Sequence, residues 1–221
     1  ESMRRWPAMA AAAAADAAAG EGGLEPRPVD AIIFPETMVP GFGFEPSVRA
    51  TLERIGDVRA MFPAAVERLA ADTGATVLAG TNHLDALEAT PEGDRWRYVF
   101  GRRTNAVVAI APDRGRQRYD KTFLTPFGET MPYISAWPWL ERRLLALGAR
   151  GMSFDLTAGD RPVRLEVADR DDPGQGWRVA APICFEVTVP ATVHRLVHAA
   201  ADPGVPRGGG AAAGGPPADL I

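Results

Sequence analysis

The 221 residues are enough for one domain with a substantial core, because 46% of them are hydrophobic. The formal net charge of −4 argues against a nucleic-acid partner, and the single cysteine excludes an internal disulfide and a cysteine-rich zinc site. No apolar run approaches the roughly 20 residues that a membrane-spanning helix needs.

Composition divides the chain into three parts. Residues 1–29 form a low-complexity lead-in with an alanine run, in which a helix would have no apolar stripe for docking, so we expect a linker or a poorly ordered segment. Residues 30–199 carry the patterns of a folded domain. Glycine and proline dominate residues 200–221, which we expect to be a disordered tail. The domain is therefore expected to be incomplete at both ends, as in a fragment or a disrupted reading frame.

Within residues 30–199, short apolar runs predict strands and amphipathic spacing predicts helices. The predicted strands cover residues 30–34, 75–80, 97–100, 104–111, 154–160, 163–167 and 178–184. Residues 97–100 and 104–111 are expected to pair with each other. Helices are predicted within 46–72, with a break near Pro63, and at 137–147 and 190–198, and Gly74 is a plausible helix cap. This order of elements predicts an α/β class of fold.

The most informative stretch runs from Tyr119 to Pro132. It places Lys121 and Glu129 eight residues apart (129 − 121) around a turn rich in proline and glycine, which restrict the backbone. A lone lysine is usually a surface residue, but a glutamate between aromatic and proline neighbours indicates a partly buried carboxylate that needs a partner. The stretch is therefore a candidate site.

Two further candidates close apolar runs. Glu36 follows Pro35 after the first predicted strand, and Cys184 ends the last one. On residue type alone a free cysteine is more often a buried structural residue. Its place between a strand and a probable helix instead favours an exposed nucleophile at a sharp turn. Together, Glu36, Lys121 and Cys184 suggest a nucleophile with a base and a cation.

Other candidates are weaker. His194 and His198 have metal-ligand spacing but lack the intervening glutamate of a metalloprotease helix, so we expect neither a metal nor another cofactor. The aromatic residues near Lys121 are either core or an apolar lip for a hydrophobic substrate. The candidate substrate-binding residues are Phe123, Phe127, Trp137, Trp139 and Phe185.

Three segments together resemble the nitrilase, or carbon–nitrogen hydrolase, superfamily, and more closely the apolipoprotein N-acyltransferase family. They are Phe34-Pro35-Glu36, the stretch from Tyr119 to Pro132, and Ile183-Cys184-Phe185-Glu186. The lysine followed by Pro-Phe-Gly-Glu and then proline is the specific part. The resemblance covers about residues 30–198, and Phe185 stands where many members have tyrosine.

The resemblance implies an α-β-β-α sandwich that carries a Glu-Lys-Cys triad. By position, Glu36 would be the general base, Lys121 would stabilise the oxyanion, and Cys184 would become a thioester. Glu129 matches an additional essential glutamate of the family, and Glu186 matches the acidic residue that follows the nucleophile.

The implied reaction moves an acyl chain from a phospholipid, through Cys184, to the N-terminal amine of diacylglyceryl-cysteine on an apolipoprotein. The resemblance implies a membrane surface as partner and the bacterial inner membrane as location, with the catalytic domain facing the periplasm. Two alternatives stay open: a nitrilase-type amidase that hydrolyses a small soluble amide, and an inactive truncated remnant.

Overall fold

The computed structural model describes residues 6–20, 28–36, 42–112, 115–126, 129, 156–172, 176–201 and 217–221. The strands in these ranges are Ala31–Ile33 (β1), Thr76–Leu84 (β2), Leu87–Glu92 (β3), Arg95–Phe100 (β4), Arg103–Ala111 (β5), Gly115–Asp120 (β6), Leu165–Ala168 (β7) and Gly176–Val179 (β8). The α-helices are Trp6–Ala18 (α1), Pro46–Arg54 (α2), Met61–Thr73 (α3) and Pro190–Val197 (α4), and short 3-10 helices cover Val58–Ala60 and Cys184–Thr188. None of the helices in these ranges is long and apolar enough to cross a membrane.

The main sheet has the strand order β1-β2-β5-β6. β1 runs parallel to β2, and the other neighbours are antiparallel. Its two central strands are almost entirely buried, which explains why they are near-continuous apolar runs in the sequence.

The two faces of the main sheet bury different partners, because successive side chains of a strand point to opposite sides. On one face, Val77 belongs to a core with Val66 of α3. On the other face, Leu78 belongs to a core with Leu165 of β7 and Leu196 of α4. β7 and β8 form an antiparallel pair. The described chain thus stacks helices, main sheet and a second β-pair in layers, and the predicted α/β class is confirmed.

The helical region within residues 46–72 divides earlier than predicted. α2 ends at Arg54, and Pro63 lies in the first turn of α3, where the N–H that proline lacks is not needed for the helix. The predicted cap is confirmed, since Gly74 ends α3 in the left-handed conformation.

The predicted pairing of residues 97–100 with 104–111 is wrong. β4 pairs with β3, which the sequence did not predict, whereas β5 pairs with β2 and β6. Most of β3 is exposed, and Pro91 interrupts it, so no apolar run marks this strand. The β3–β4 pair is contacted from outside: Thr51 of α2 donates to the Leu87 carbonyl of β3, and Asp57 accepts hydrogen bonds from Tyr98 of β4 and from Arg59.

The later strands are shorter than predicted. In the predicted strand 154–160, Leu156 makes an isolated bridge with Arg103, and residues 157–160 are not in a strand. β8 ends at Val179, so residues 180–183 continue as irregular backbone up to Cys184. The predicted helix at 137–147 lies outside the described residues.

Both terminal segments also differ from expectation. The alanine run forms α1 and does have a docking partner, because Ala10 and Ala11 pack against the core that contains α3. Small side chains let two helices approach closely without an apolar stripe of large residues. The prediction of disorder is wrong for residues 217–221, where Asp219 accepts hydrogen bonds from the backbone and side chain of Arg178.

We predict that Gly159→Ala lowers the free energy of unfolding by about 1–3 kcal/mol, since an added Cβ would overpack this site. That Cβ would lie 2.4 Å from the backbone oxygen of Asp120. Gly101→Ala is the matched control, because its Cβ would meet nothing within 4 Å. Urea unfolding of both variants measures the difference, and equal stability would contradict the close approach.

Candidate active site

Cys184 occupies a sharp turn between β8 and α4. It is the first residue of the 3-10 helix Cys184–Thr188, and its φ of 52° makes it the one non-glycine residue with positive φ in the described part of the chain. A side chain in this region of backbone space is strained by about 1–3 kcal/mol. The Cys184 side chain is exposed. The strained turn therefore presents the thiol to solvent.

A buried carboxylate anchors this turn from behind. Glu186 has no exposed surface. Its Oε1 accepts hydrogen bonds from the Tyr119 hydroxyl (2.8 Å), the Thr122 and Phe123 amides (both 2.9 Å) and the Thr122 hydroxyl (3.1 Å). Its Oε2 accepts one from the Ile183 amide at 2.9 Å. These contacts join the cysteine turn to the segment that follows β6.

Tyr119 contributes to this anchor as a donor. Burial, together with the adjacent Glu186 carboxylate, raises the pKa of Tyr119. Its hydroxyl therefore stays protonated and donates to Glu186 at neutral pH.

Lys121 follows β6 and is completely buried. Its backbone N–H donates to the Asn105 carbonyl at 2.8 Å, which extends the pairing of β6 with β5. Its Nζ donates to Glu129 Oε2 at 2.7 Å and to Thr125 Oγ1 at 3.3 Å. A buried ammonium requires such a partner, because an isolated charge in the interior is very unfavourable.

Glu129 is held as an anion beside this lysine. Burial alone would raise its pKa, but the hydrogen bonds from Lys121 Nζ and from the Thr125 amide (2.8 Å) outweigh burial and lower it. The Glu129 carboxyl is therefore ionised at neutral pH beside the Lys121 side chain.

Asn105 links this pair to Glu36. Its Nδ2 donates to Glu36 Oε1 at 2.8 Å and lies 3.5 Å from Glu129 Oε1. Lys121, Glu129, Asn105 and Glu36 thus form a continuous polar chain from the buried end of β6 to the end of β1.

A cavity of about 590 Å³ contains the outer end of this chain. Glu36, Asn105 and Cys184 are the polar residues in its wall, as far as the structure describes it. The remaining lining residues are apolar or glycine: Ile33, Phe34, Leu78, Gly80, Ala106, Val107, Val179, Ala180, Ala181, Pro182, Ile183, Val187 and Ile221. The cavity combines an exposed thiol and a carboxylate with an apolar surface.

The structure places the sequence-predicted residues in two groups. Glu36 and Cys184 share the cavity wall, and Lys121 with Glu129 connects to that wall through Asn105. Glu186 does not line the cavity and lies behind the cysteine turn. The roles assigned to these residues stay predictions.

Two contributing residues were missed from the sequence. Asn105 is a polar residue just before a run of apolar residues in a buried strand, and Thr125 precedes proline in the candidate stretch. The buried amide in β5 was the available signal, since a polar group at such a position needs partners.

The candidate substrate-binding aromatics are described only in part. Phe123 and Phe185 stack on each other, with ring centroids 6.1 Å apart, beside Cys184. Neither ring is in the cavity wall described above. Phe127, Trp137 and Trp139 lie outside the described residues.

His194 and His198 lie next to each other on α4, with ring centroids 4.5 Å apart. Across the described ranges, no group of three or more histidine, cysteine or acidic side chains is arranged to hold a metal ion.

Comparisons with known proteins give one structural and one sequence likeness, and no family model matches the chain. The CN-hydrolase superfamily protein XC1258 from Xanthomonas campestris, whose active site carries an arsenic adduct, aligns with 84% of this chain and 50% of its own, at 18% identity and a TM-score of 0.37. A likeness at that level carries no argument about function.

The sequence likeness is more particular. An apolipoprotein N-acyltransferase from Chlorobaculum tepidum is 37% identical over 94 residues. The match covers 42% of this chain and 17% of that protein. Because the match covers a small part of that protein, its activity is considered for this chain only as a proposal.

We predict that Cys184→Gly is more stable than Cys184→Ala by about 1 kcal/mol, because glycine adopts a positive φ without the steric penalty of a Cβ. Both variants remove the thiol, so their difference isolates the backbone strain. Thermal unfolding measures it, and equal midpoints would contradict a strained turn.

We predict that Glu186→Ala lowers the free energy of unfolding by about 3 kcal/mol or more, because several buried donors would lose their acceptor at once. Glu88→Ala, at an exposed position of β3, is the matched control. Urea unfolding compares the two, and a similar small loss in both would show that the anchor is dispensable.

Proposed function

We propose that this chain carries the acyl-transfer site of an N-acyltransferase that acts through a Cys184 thioester. The observation that carries the proposal is the shared cavity, in which a strained, exposed cysteine, a glutamate and one asparagine lie in a wall of apolar residues and glycine. The segment around Lys121 and Glu129 resembles the apolipoprotein N-acyltransferase family, and 94 residues of the chain are 37% identical to one such enzyme. Both likenesses support acyl transfer as the reaction.

In the first half-reaction, Glu36 accepts the proton of the Cys184 thiol, and Sγ attacks the ester carbonyl of the acyl donor. The tetrahedral oxyanion is stabilised by the Lys121 ammonium. Nζ has three N–H groups and donates to two acceptors among the described residues, so one is left for the oxyanion. The C–O bond then breaks, the leaving alkoxide takes the proton from Glu36, and the acyl group remains on sulfur.

In the second half-reaction, an amine replaces the ester. The amine nitrogen attacks the thioester carbonyl and passes a proton to Glu36, and collapse of the second tetrahedral intermediate breaks the C–S bond. The sulfur recovers a proton from Glu36, which gives an amide and a free thiol. The site returns to its starting state without a cofactor in the reaction.

The apolar wall favours a hydrocarbon acyl group as the portion bound next to Cys184, because burying such a chain is worth about 0.8 kcal/mol per CH₂. We therefore propose a phospholipid as acyl donor and the N-terminal amine of a diacylglyceryl-apolipoprotein as acceptor. Hydrolysis of a small amide would use the same acyl-enzyme with water in place of the amine.

We predict that incubation with phosphatidylethanolamine vesicles adds the mass of one acyl chain to the protein. The adduct is expected to be labile to hydroxylamine, as a thioester is, and to be absent in Cys184→Ala. Glu36→Gln should slow its formation by about 10²-fold or more, the usual contribution of a general base. Intact-protein mass spectrometry follows the adduct over time.

Glu88→Gln, a charge-neutralising change at an exposed glutamate, is the matched control and should form the adduct at the wild-type rate. If a folded protein gives no adduct with phospholipid but releases ammonia from short-chain amides in a Cys184-dependent way, the function is amide hydrolysis. If Cys184→Ala still acquires the mass, the thioester mechanism is wrong.

A further inference from the structure

Asn105 is a buried polar residue that contacts Glu36, Glu129 and the backbone of Lys121. Its exposed fraction is 7%, and its backbone carbonyl accepts the Lys121 N–H. Its side-chain amide contacts both Glu36 and Glu129. Ionised carboxylates only accept hydrogen bonds, so the NH₂ end of the amide, with its two donors, must face them.

The side chain of Asn105 lies between two neighbouring carboxylates, Glu36 and Glu129. The two carboxylates differ in the donors that they meet. Glu129 has the Lys121 ammonium and the Thr125 amide as donors. For Glu36, Asn105 is the donor that the described part of the chain supplies.

The Asn105 side chain also affects the orientation of the Glu36 carboxylate. Asn105 donates to Glu36 Oε1, which restrains the rotation of the carboxylate. Because the Asn105 backbone is also paired with Lys121, one residue of β5 sets the position of both the base and the cation.

We propose that Asn105 is a positioning residue, which holds the Glu36 carboxylate in a fixed orientation at the cavity wall beside Glu129. The inference rests on the proposed function, because it takes Glu36 to be the base for Cys184. Asn105 acts through Glu36 and takes no part in bond making or breaking.

The test uses the pH dependence of Cys184 alkylation by iodoacetamide, which needs no substrate. Cys184 is the sole cysteine, so intact mass reports its modification alone. In Asn105→Leu we expect alkylation at neutral pH to slow by about 10- to 100-fold, the effect of losing one hydrogen bond to a charged group.

Asn82→Leu is the matched control. Asn82 lies directly opposite Asn105 in β2, and its side chain accepts a hydrogen bond from Arg103. The Asn82→Leu substitution removes an amide from the neighbouring strand but leaves the contacts to Glu36 in place. Its alkylation profile should therefore coincide with that of the wild type.

A double variant separates positioning from general damage. If Asn105 acts through Glu36, adding Asn105→Leu to Glu36→Gln changes the alkylation profile no further. A further loss of the same size in that background would overturn the proposal, and so would an Asn105→Leu profile that coincides with the wild type. If circular dichroism shows that Asn105→Leu does not fold, Asn105→Ala, which removes the donors without adding a charge, enters the same comparisons.

Failure of this inference is distinguishable from failure of the proposed function. If Glu36→Gln slows alkylation and Asn105→Leu does not, the base is supported and the role of Asn105 is wrong. If wild-type Cys184 reacts like a free thiol and Glu36→Gln has no effect, the assignment of Glu36 as base is wrong, and the role of Asn105 falls with it.

Discussion

The geometry of the candidate site depends on one buried carboxylate, that of Glu186. Glu186 accepts hydrogen bonds from both sides of the candidate site, from Ile183 before the cysteine and from the segment after Lys121. A buried anion is unfavourable unless donors surround it, so satisfying Glu186 requires the two segments to meet in one geometry. The strained Cys184 turn can persist because this contact fixes the backbone immediately around it. The acid that follows the nucleophile thus acts on the site through the backbone.

A second group of polar residues places charged side chains next to an apolar cavity. The Lys121 ammonium is fully buried, and Glu129 neutralises it. Glu36 stands at the cavity wall, where it accepts a hydrogen bond from the neutral amide of Asn105. The two carboxylates therefore differ in their donors: Glu129 accepts from the Lys121 side chain, and Glu36 accepts from an amide. The division follows from which donors the strands β5 and β6 bring to each glutamate.

The α/β class of fold was predicted correctly, whereas the roles of the candidate site residues stay predictions. Glu36 and Cys184 could be singled out because each closes an apolar run of the sequence, although β1 ends at Ile33 and β8 ends at Val179. Asn105 was missed because one polar residue at the start of an apolar strand has no signature until its partners, 69 and 24 residues away, are known. The pairing of β4 was predicted wrongly for a related reason. β3 is mostly exposed and carries a proline, so its existence depends on contacts with α2 and Tyr98 that local pattern does not contain.

The residues of the candidate site come from elements that are distant from one another in the chain. Glu36 follows β1, Asn105 lies in β5, Lys121 follows β6, and Cys184 lies in the turn after β8. The main sheet aligns the first three through backbone pairing, whose register is fixed because a one-residue slip would exchange its two buried faces. Cys184 comes from the second layer, and its position relative to the sheet is set by the core between the layers and by Glu186. A change in that core would therefore alter the distance between Cys184 and Glu36 without touching either residue. Under the proposed function, packing between the two β-layers thus contributes to the chemistry of the candidate site.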